Sequence, residues 1–129
     1  MDAVVFQMTD HIGAGEYGKA LEKLSDLFKM QEEPLGMLGA IGNHFRRLST
    51  ARTLGDNGRS SADLMKLYRT SDYGARKMMD SARRFRPEFL QKAAVLILET
   101  DYRMKTSFDD PERLLEMLLL QLAQEARND

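Results

Sequence analysis

Side chains that bind metals or transfer protons are few in this sequence, and their spacing is unfavourable. Two imidazoles lie on one helix face when they are four residues apart, but the two histidines, His11 and His44, are much farther apart in the sequence. Because His44 stands beside Phe45 in an amphipathic pattern, we expect it to be a surface or boundary residue. The sequence has no cysteine, which excludes disulfides, thiolate nucleophiles and the usual zinc clusters. We therefore predict no metal site.

Acid/base catalysis and phosphate binding are equally poorly supported. Asp109 and Asp110 stand at the start of a predicted helix, where capping and the helix dipole explain them. Gly36, Gly39 and Gly42 lie within a predicted helix and lead to no Lys-Ser or Lys-Thr pair, so they do not form a nucleotide-binding loop. Glycine destabilises a helix, so three glycines at a spacing of three need a reason. We expect that they allow a neighbouring helix to approach the backbone closely. We predict no catalytic residue, no cofactor and no enzymatic activity.

A basic stretch over residues 60–86 is the strongest candidate for ligand binding. It has the pattern of a short helix, a four-residue turn and a second helix, as in a helix-turn-helix motif. Against Asp72 and Asp80, the second helix and its flanking residues carry six basic side chains: Arg69, Arg76, Lys77, Arg83, Arg84 and Arg86. However, the second helix starts with Asp72, Tyr73 and Gly74, which are poorly suited to base edges. We favour a basic face that is solvated or turned toward a protein partner; the alternative is a stand-alone nucleic-acid-binding domain.

Length and composition indicate one globular domain. The 129 residues include 43% hydrophobic and 30% charged residues, with a formal net charge of -1. Residues 1–36 carry three basic and seven acidic residues, residues 37–97 twelve and five, and residues 98–129 four and eight. The basic middle either pairs with the acidic ends, which we favour, or faces an acidic partner or nucleic acid. No stretch resembles a signal peptide or a membrane span, so we expect a cytoplasmic protein.

Hydrophobic residues recur at helical spacing along the whole chain, and no stretch shows the alternation of a β-strand. The predicted helices cover residues 4–12, 16–30, 33–54, 60–68, 73–85, 87–105 and 111–123. Ser60 and Asp63 form a capping-box pattern, and Pro87 marks a boundary between two helices. The sequence therefore predicts an all-α fold, a single compact bundle of about seven helices that forms one domain over residues 1–129.

The last predicted helix is apolar on nearly all sides. Between residues 114 and 123 only Glu116 and Gln121 are polar, and the apolar run is too short to cross a bilayer, which needs about 20 residues. Protein must therefore cover it, and either this chain supplies all of the cover, which we favour, or another chain supplies part of it. The residues predicted to build the core, either alone or with some share in a protein interface, are Leu115, Leu118, Leu119 and Leu122.

Short motifs along nearly the whole chain, in order, resemble one known family. They are Phe6-Gln7-Met8-Thr9-Asp10-His11-Ile12, Glu33-Pro34-Leu35, His44-Phe45-Arg46-Arg47-Leu48, Ala82-Arg83-Arg84-Phe85, Asp101-Tyr102-Arg103-Met104-Lys105-Thr106 and Asp110-Pro111 before the leucine run. On these residues the chain resembles the C-terminal collar domain of the bacterial DNA polymerase III delta subunit family, which belongs to the clamp loader.

This resemblance implies a clamp-loader collar fold and a role in assembly rather than catalysis. Collar domains of this family join side by side into a ring of five subunits, so the implied partners are ATPase subunits of the gamma/tau type and a delta-prime subunit. The sliding clamp and DNA would be reached only through other parts of the complex. The chain is expected to be the C-terminal fragment of a longer AAA+-like subunit. The implied partner-facing or salt-bridged residues are Arg46, Arg47, Arg83 and Arg84.

Overall fold

Seven helices make up the computed structural model, which describes residues 2–127, so the ends of the predicted domain span 1–129 lie outside it. They are α1 (Asp2–Gly13), α2 (Tyr17–Lys29), α3 (Pro34–Asp56), α4 (Ser61–Tyr68), α5 (Asp72–Arg83), α6 (Pro87–Thr106) and α7 (Pro111–Arg127). Residues 2–127 contain no strand, so the predicted all-α class is confirmed. None of these helices has the length and hydropathy required to cross a membrane.

Hydroxyl and carboxylate side chains explain where α4 and α5 begin. The Ser60 hydroxyl accepts a hydrogen bond from the backbone N–H of Ala62 at 3.3 Å, and the Asp63 carboxylate accepts one from the N–H of Ser60 at 3.3 Å. This is the predicted capping box. At α5 the Ser71 hydroxyl accepts a hydrogen bond from the N–H of Gly74 at 3.0 Å. Both helix starts are therefore determined locally, by residues that the sequence places next to them.

Helix α3 lies at the centre of the bundle, where it packs against α1, α4, α5, α6 and α7. Its Phe45 ring lies 6.1 Å from the Phe85 ring and 6.4 Å from the Phe89 ring, and the latter two rings stack at 5.1 Å. All three side chains are buried. Large aromatic rings contribute much of the apolar area that a small core buries. This cluster therefore anchors the start of α6 against α3.

Helix α7 is covered by α1, α2, α3 and α6 of the same chain. Asp110 precedes its first residue and caps it, since the Asp110 carboxylate accepts a hydrogen bond from the N–H of Glu112 at 3.2 Å. The interface candidates Leu115, Leu118, Leu119 and Leu122 are all buried. Their predicted role in the domain core is thus confirmed, and their share in an interface stays a prediction. The large apolar side chain that α7 exposes is Leu120, at 55%.

One of the three glycines in α3 lies beneath a close neighbour. A Cβ atom on Gly42 would lie 3.4 Å from Cγ2 of Ile97 on α6. A Cβ atom on Gly39 would meet no described atom within 4 Å, and one on Gly36 would come near Glu33 at 3.9 Å. The predicted close approach is therefore confirmed for Gly42 and wrong for the other two, which lie on an exposed part of α3.

The segregated charges of the sequence form mainly local ion pairs. In the described part of the chain, one ion pair joins the basic middle to an acidic end, between Lys77 Nζ and Asp10 Oδ2 at 3.7 Å. Other basic residues pair with carboxylates about one helical turn away, as Arg59 does with Asp63 at 2.9 Å. The predicted pairing of the basic middle with the acidic ends is therefore confirmed for that one contact. Most of the other ion pairs are local.

Candidate interaction surface

An open groove runs between α3 and α6. It has a volume of about 740 Å³, and small residues line much of it, among them Gly39 and Gly42 on α3 and Ala94 on α6. Leu35 on α3 and Leu98 on α6 also line it, with 43% and 68% of their surface exposed. Large exposed apolar side chains beside a concavity are typical of protein-binding surfaces. We therefore take this groove as the candidate interaction surface.

The packing of α3 on α6 sets the course of the groove. Phe45 contacts Phe89 near the start of α6, whereas Gly42, which is earlier in α3, lies against Ile97, which is later in α6. The two helices are therefore antiparallel where they meet. The positions of α3 that line the groove extend over residues 35–50. At about 1.5 Å per residue, this length is about 22 Å, or about four helical turns.

Arg46 and Arg47 both line this groove. Neither forms an ion pair with a carboxylate in residues 2–127. The guanidinium carbon of Arg47 lies 4.8 Å from the ring centroid of Tyr68, and its buried Nε atom has no hydrogen-bond partner among the described residues. A buried donor without an acceptor costs about 1–3 kcal/mol. This Nε atom is closed off from a partner, whereas the exposed Arg46 is open to a partner's carboxylate.

The other two arginine candidates lie on a different surface. Arg83 and Arg84 are exposed at the C-terminal end of α5, outside the residues that line the groove. Arg83 pairs with Asp80 at 3.3 Å, and its backbone carbonyl accepts a hydrogen bond from Arg52 at 3.3 Å. The structure therefore brings Arg46 and Arg47 together at the groove and keeps Arg83 and Arg84 apart from them.

Carboxylates neutralise part of the positive charge on the basic face of α4 and α5. Arg76 pairs with Asp72 at 3.1 Å, and Lys77 pairs with Asp10 and lies 4.8 Å from the ring centroid of Phe6. Asp72 also places a negative charge in the first turn of α5, where a recognition helix would approach phosphates. This face is therefore less favourable for nucleic acid than its basic composition indicates.

His44 is buried, which corrects the expectation of a surface or boundary position. Its side chain is 7% exposed, and its ring lies edge-on against Phe6 at 4.8 Å. Desolvation lowers the pKa of His44 from 6.5 to about 4, while the charge of Asp10 opposes this shift and that of Arg47 adds to it. The sequence contained a signal for burial, because residue 44 stands three positions after Ile41 on the same helix face.

His11, the other histidine, is partly exposed and forms a local contact. Its Nδ1 atom lies 3.2 Å from Oε1 of Glu16, and Lys19 Nζ lies 3.1 Å from Oε2 of the same carboxylate. The hydrogen bonds with His11 and Lys19 hold the pKa of Glu16 below its usual value. In residues 2–127 no group of three or more histidine, cysteine or acidic side chains could hold a metal ion.

Sequence reasoning missed the exposed apolar face of α6. Val95, Leu98 and Tyr102 follow a spacing of three and four residues and are 46%, 68% and 68% exposed. The sequence did contain a signal for this second face, because the three residues point to a different side of the helix from the buried Ala93 and Leu96. Periodicity shows that a helix has apolar residues on two sides, but it cannot show which side the rest of the chain covers.

Comparisons with known proteins agree along almost the whole chain. The family model for the DNA polymerase III delta subunit, C-terminal domain, matches residues 2–122. The chain is 29% identical over 118 residues to DNA polymerase III subunit delta of Bacillus subtilis (strain 168), a match that covers 92% of this chain and 34% of that protein. It is also similar to the solved structure of the Bacillus subtilis DNA clamp loader delta protein, with a TM-score of 0.88 and 28% identity over 95% of this chain and 36% of that one.

The family match extends from α1 into α7, so it includes both helices that form the groove. The chain spans about a third of the length of the two relatives. Its fold is that of the corresponding part of the clamp loader delta protein. The resemblance inferred from the short motifs is therefore confirmed, and the chain belongs to the DNA polymerase III delta subunit family through its C-terminal domain.

Proposed function

We propose that this chain is a non-catalytic assembly module of the DNA polymerase III clamp loader. It joins the delta subunit to its neighbours in the collar, so that the complex can load the sliding clamp during DNA replication. The neighbours are ATPase subunits of the gamma/tau type and the delta-prime subunit, while the clamp and DNA are contacted by other parts of the complex. In a ring of unlike subunits each module presents two different contact faces.

The exposed apolar surface along α3 and α6 carries this proposal. Leu35, Leu98 and Tyr102 leave large apolar areas in water, outside the core that the buried apolar residues form. Covering apolar surface contributes about 25 cal/mol per Å² before the cost of association is subtracted. A partner that covers this surface would therefore gain affinity, as an assembly module requires. Membership of the delta subunit family indicates the complex to which that partner belongs.

Sedimentation velocity of the chain, alone and mixed with purified ATPase and delta-prime subunits of the same cell, tests this proposal. We expect a heavier species in the mixture that contains all the added chains. The control is Leu118→Asp, which places a charge at a buried position and should abolish both folding and association. If the folded chain sediments unchanged beside correctly folded partners, the assembly role is contradicted.

The alternative function is DNA binding through residues 60–86, and it predicts a different result. Binding of the isolated chain to an arbitrary duplex would then fall steeply with salt, because lysine and arginine contacts to phosphates release counterions. The ion pairs Arg76–Asp72 and Lys77–Asp10 make this outcome less favourable, since both cations already have a carboxylate. Absence of binding at low salt would exclude the alternative.

A further inference from the structure

We propose that the groove between α3 and α6 binds an amphipathic, acidic helix of a neighbouring subunit, and that Arg46 and Arg47 select it through carboxylates. This inference rests on the proposed assembly role and assigns it a surface and a partner chemistry. A helix laid into a groove is held by apolar side chains at spacings of three and four residues. The groove has the length, the apolar surface and the unpaired positive charge for such a partner.

The dimensions of the groove accommodate a helix. Its length of about 22 Å along α3 corresponds to about four turns of a partner helix, or about 15 residues. Gly39 leaves open space above α3, because a Cβ atom there would meet no described atom within 4 Å. Leu35 and Leu98 line the groove from the two helices and are largely exposed. A partner with apolar residues along one stripe would cover both leucines at once.

The charges of the groove select an acidic partner. Asp101 is the carboxylate that lines it, and this group is already paired with Lys105 at 3.0 Å. Arg46 is exposed and Arg47 half-buried, and neither has a carboxylate partner among the described residues. Arginine and carboxylate form strong hydrogen bonds, often with two parallel contacts. A glutamate or aspartate on the partner helix would therefore pair with the exposed Arg46 and with the accessible part of Arg47, at the edge of an apolar contact.

Nucleic acid and a second copy of this chain are less suitable occupants. Phosphates would meet the two arginines, but they would leave Leu35 and Leu98 uncovered, so the apolar half of the groove would have no role. In an assembly of unlike subunits the contact is heterologous, so a second copy is not required to fill it. The two alternatives are separated by the experiment below, since each gives a distinct cross-linked product.

The occupant can be identified by photo-cross-linking in the assembled complex. The photoreactive residue p-benzoylphenylalanine replaces Leu98 in this 129-residue chain, which is then mixed with the ATPase and delta-prime subunits and with duplex DNA. The matched control carries the same residue in place of Leu120, which is also an exposed leucine on a helix but lies outside the groove. We expect position 98 to cross-link to a subunit segment whose apolar residues recur at three and four and which contains Asp or Glu.

Charge reversal tests the selection by arginine independently. Arg46→Glu should raise the apparent Kd for the other subunits by about tenfold or more, because it places a second negative charge against the carboxylate of the partner helix. Arg46→Lys should retain most of the affinity, and Arg113→Glu, at an exposed arginine of α7 outside the groove, should leave it unchanged. Unchanged thermal melts of all three variants ensure that a weaker complex reflects the contact rather than the fold.

The outcomes separate the two proposals. If the subunits assemble but position 98 cross-links to DNA, to a second copy of this chain or to nothing, the groove proposal is overturned and the assembly role stands. Equal binding by Arg46→Glu and wild type would likewise overturn the selection by arginine. If no assembly forms with folded wild-type chain, the assembly role fails and the groove proposal fails with it.

Discussion

The imidazole of His44 packs against the ring of Phe6, and its Nε2 atom has no hydrogen-bond partner in the described part of the chain. A neutral imidazole tolerates this environment better than a charged one, because burial removes the water that would solvate the charge. This effect lowers the pKa of His44 to about 4. Folding therefore has to release the proton that the unfolded chain binds to this histidine in mildly acidic solution.

Because the unfolded chain binds this proton more tightly, stability should rise with pH between about 4 and 6.5 and be complete above that range. At about 1.4 kcal/mol per unit of pKa, the free energy of unfolding should fall by about 3 kcal/mol as the pH drops through this window. Urea unfolding of wild type and His44→Leu at several pH values measures the effect. The variant should show a shallower fall, and equal slopes in both proteins would contradict the assignment.

At the scale of the helix, α3 combines a buried face with an exposed part that carries glycines. Gly39 is in a helix interior and has open space around it, so a methyl group there would cause no clash. Gly15, in contrast, has a φ of +77° in the turn between α1 and α2, a backbone conformation that L-residues rarely adopt. The same substitution by alanine should therefore have opposite effects at the two positions.

Gly39→Ala should stabilise the fold by about 0.5–1 kcal/mol, because alanine loses less backbone entropy in a helix. Gly15→Ala should destabilise it by about 1–2 kcal/mol through the cost of the left-handed conformation. The denaturant midpoints of the two variants, at unchanged slope, provide the measurement. A destabilised Gly39→Ala would mean that α3 is packed more closely than the structure indicates.

Helix α7 provides a second test of which face is covered. Leu118 is buried and Leu120 is 55% exposed, although both stand in the same apolar run of sequence. Leu118→Ala should reduce the free energy of unfolding by about 2–5 kcal/mol, as expected for a buried leucine, whereas Leu120→Ala should cost less than about 1 kcal/mol. Thermal or urea unfolding of both variants measures the difference. A stable Leu118→Ala chain that fails to associate would instead support an interface role.

At the scale of the whole molecule, the seven helices share one core. Buried residues from α1 to α7 form a continuous apolar cluster, and α3 and α7 each contact several other helices. A shared core couples the helices, since no helix can leave it without exposing side chains of the others. The chain should therefore behave as one cooperative unit, although it spans about a third of its relatives.

Urea unfolding of the chain should accordingly be a single transition. Far-UV circular dichroism, which reports helix content, and near-UV circular dichroism, which reports the packing of tyrosines, should give the same midpoint. The slope should be about 1–3 kcal/mol per M, as expected for a small domain. Two separated transitions would show that part of the bundle folds independently and would contradict the prediction of one domain.

The sequence by itself determined the helices of this protein. The capping box at Ser60, the prolines at positions 34 and 87 and the recurrence of apolar residues predicted seven helices, with bounds close to those observed. These signals are local, because a helix start depends on hydrogen bonds between residues two to four positions apart. The order of the motifs along the chain also identified the family, since that order needs no knowledge of packing.

The tertiary structure alone decided which surface is available to a partner. The four leucines of α7 are buried because α1, α2, α3 and α6 surround them, and apolar residues of α6 such as Leu98 are exposed because no described helix lies over them. Likewise, the arginine pairs at 46–47 and 83–84 have similar sequence, yet they occupy different surfaces. Burial depends on contacts between residues far apart in the chain, whereas periodicity reports one helix at a time.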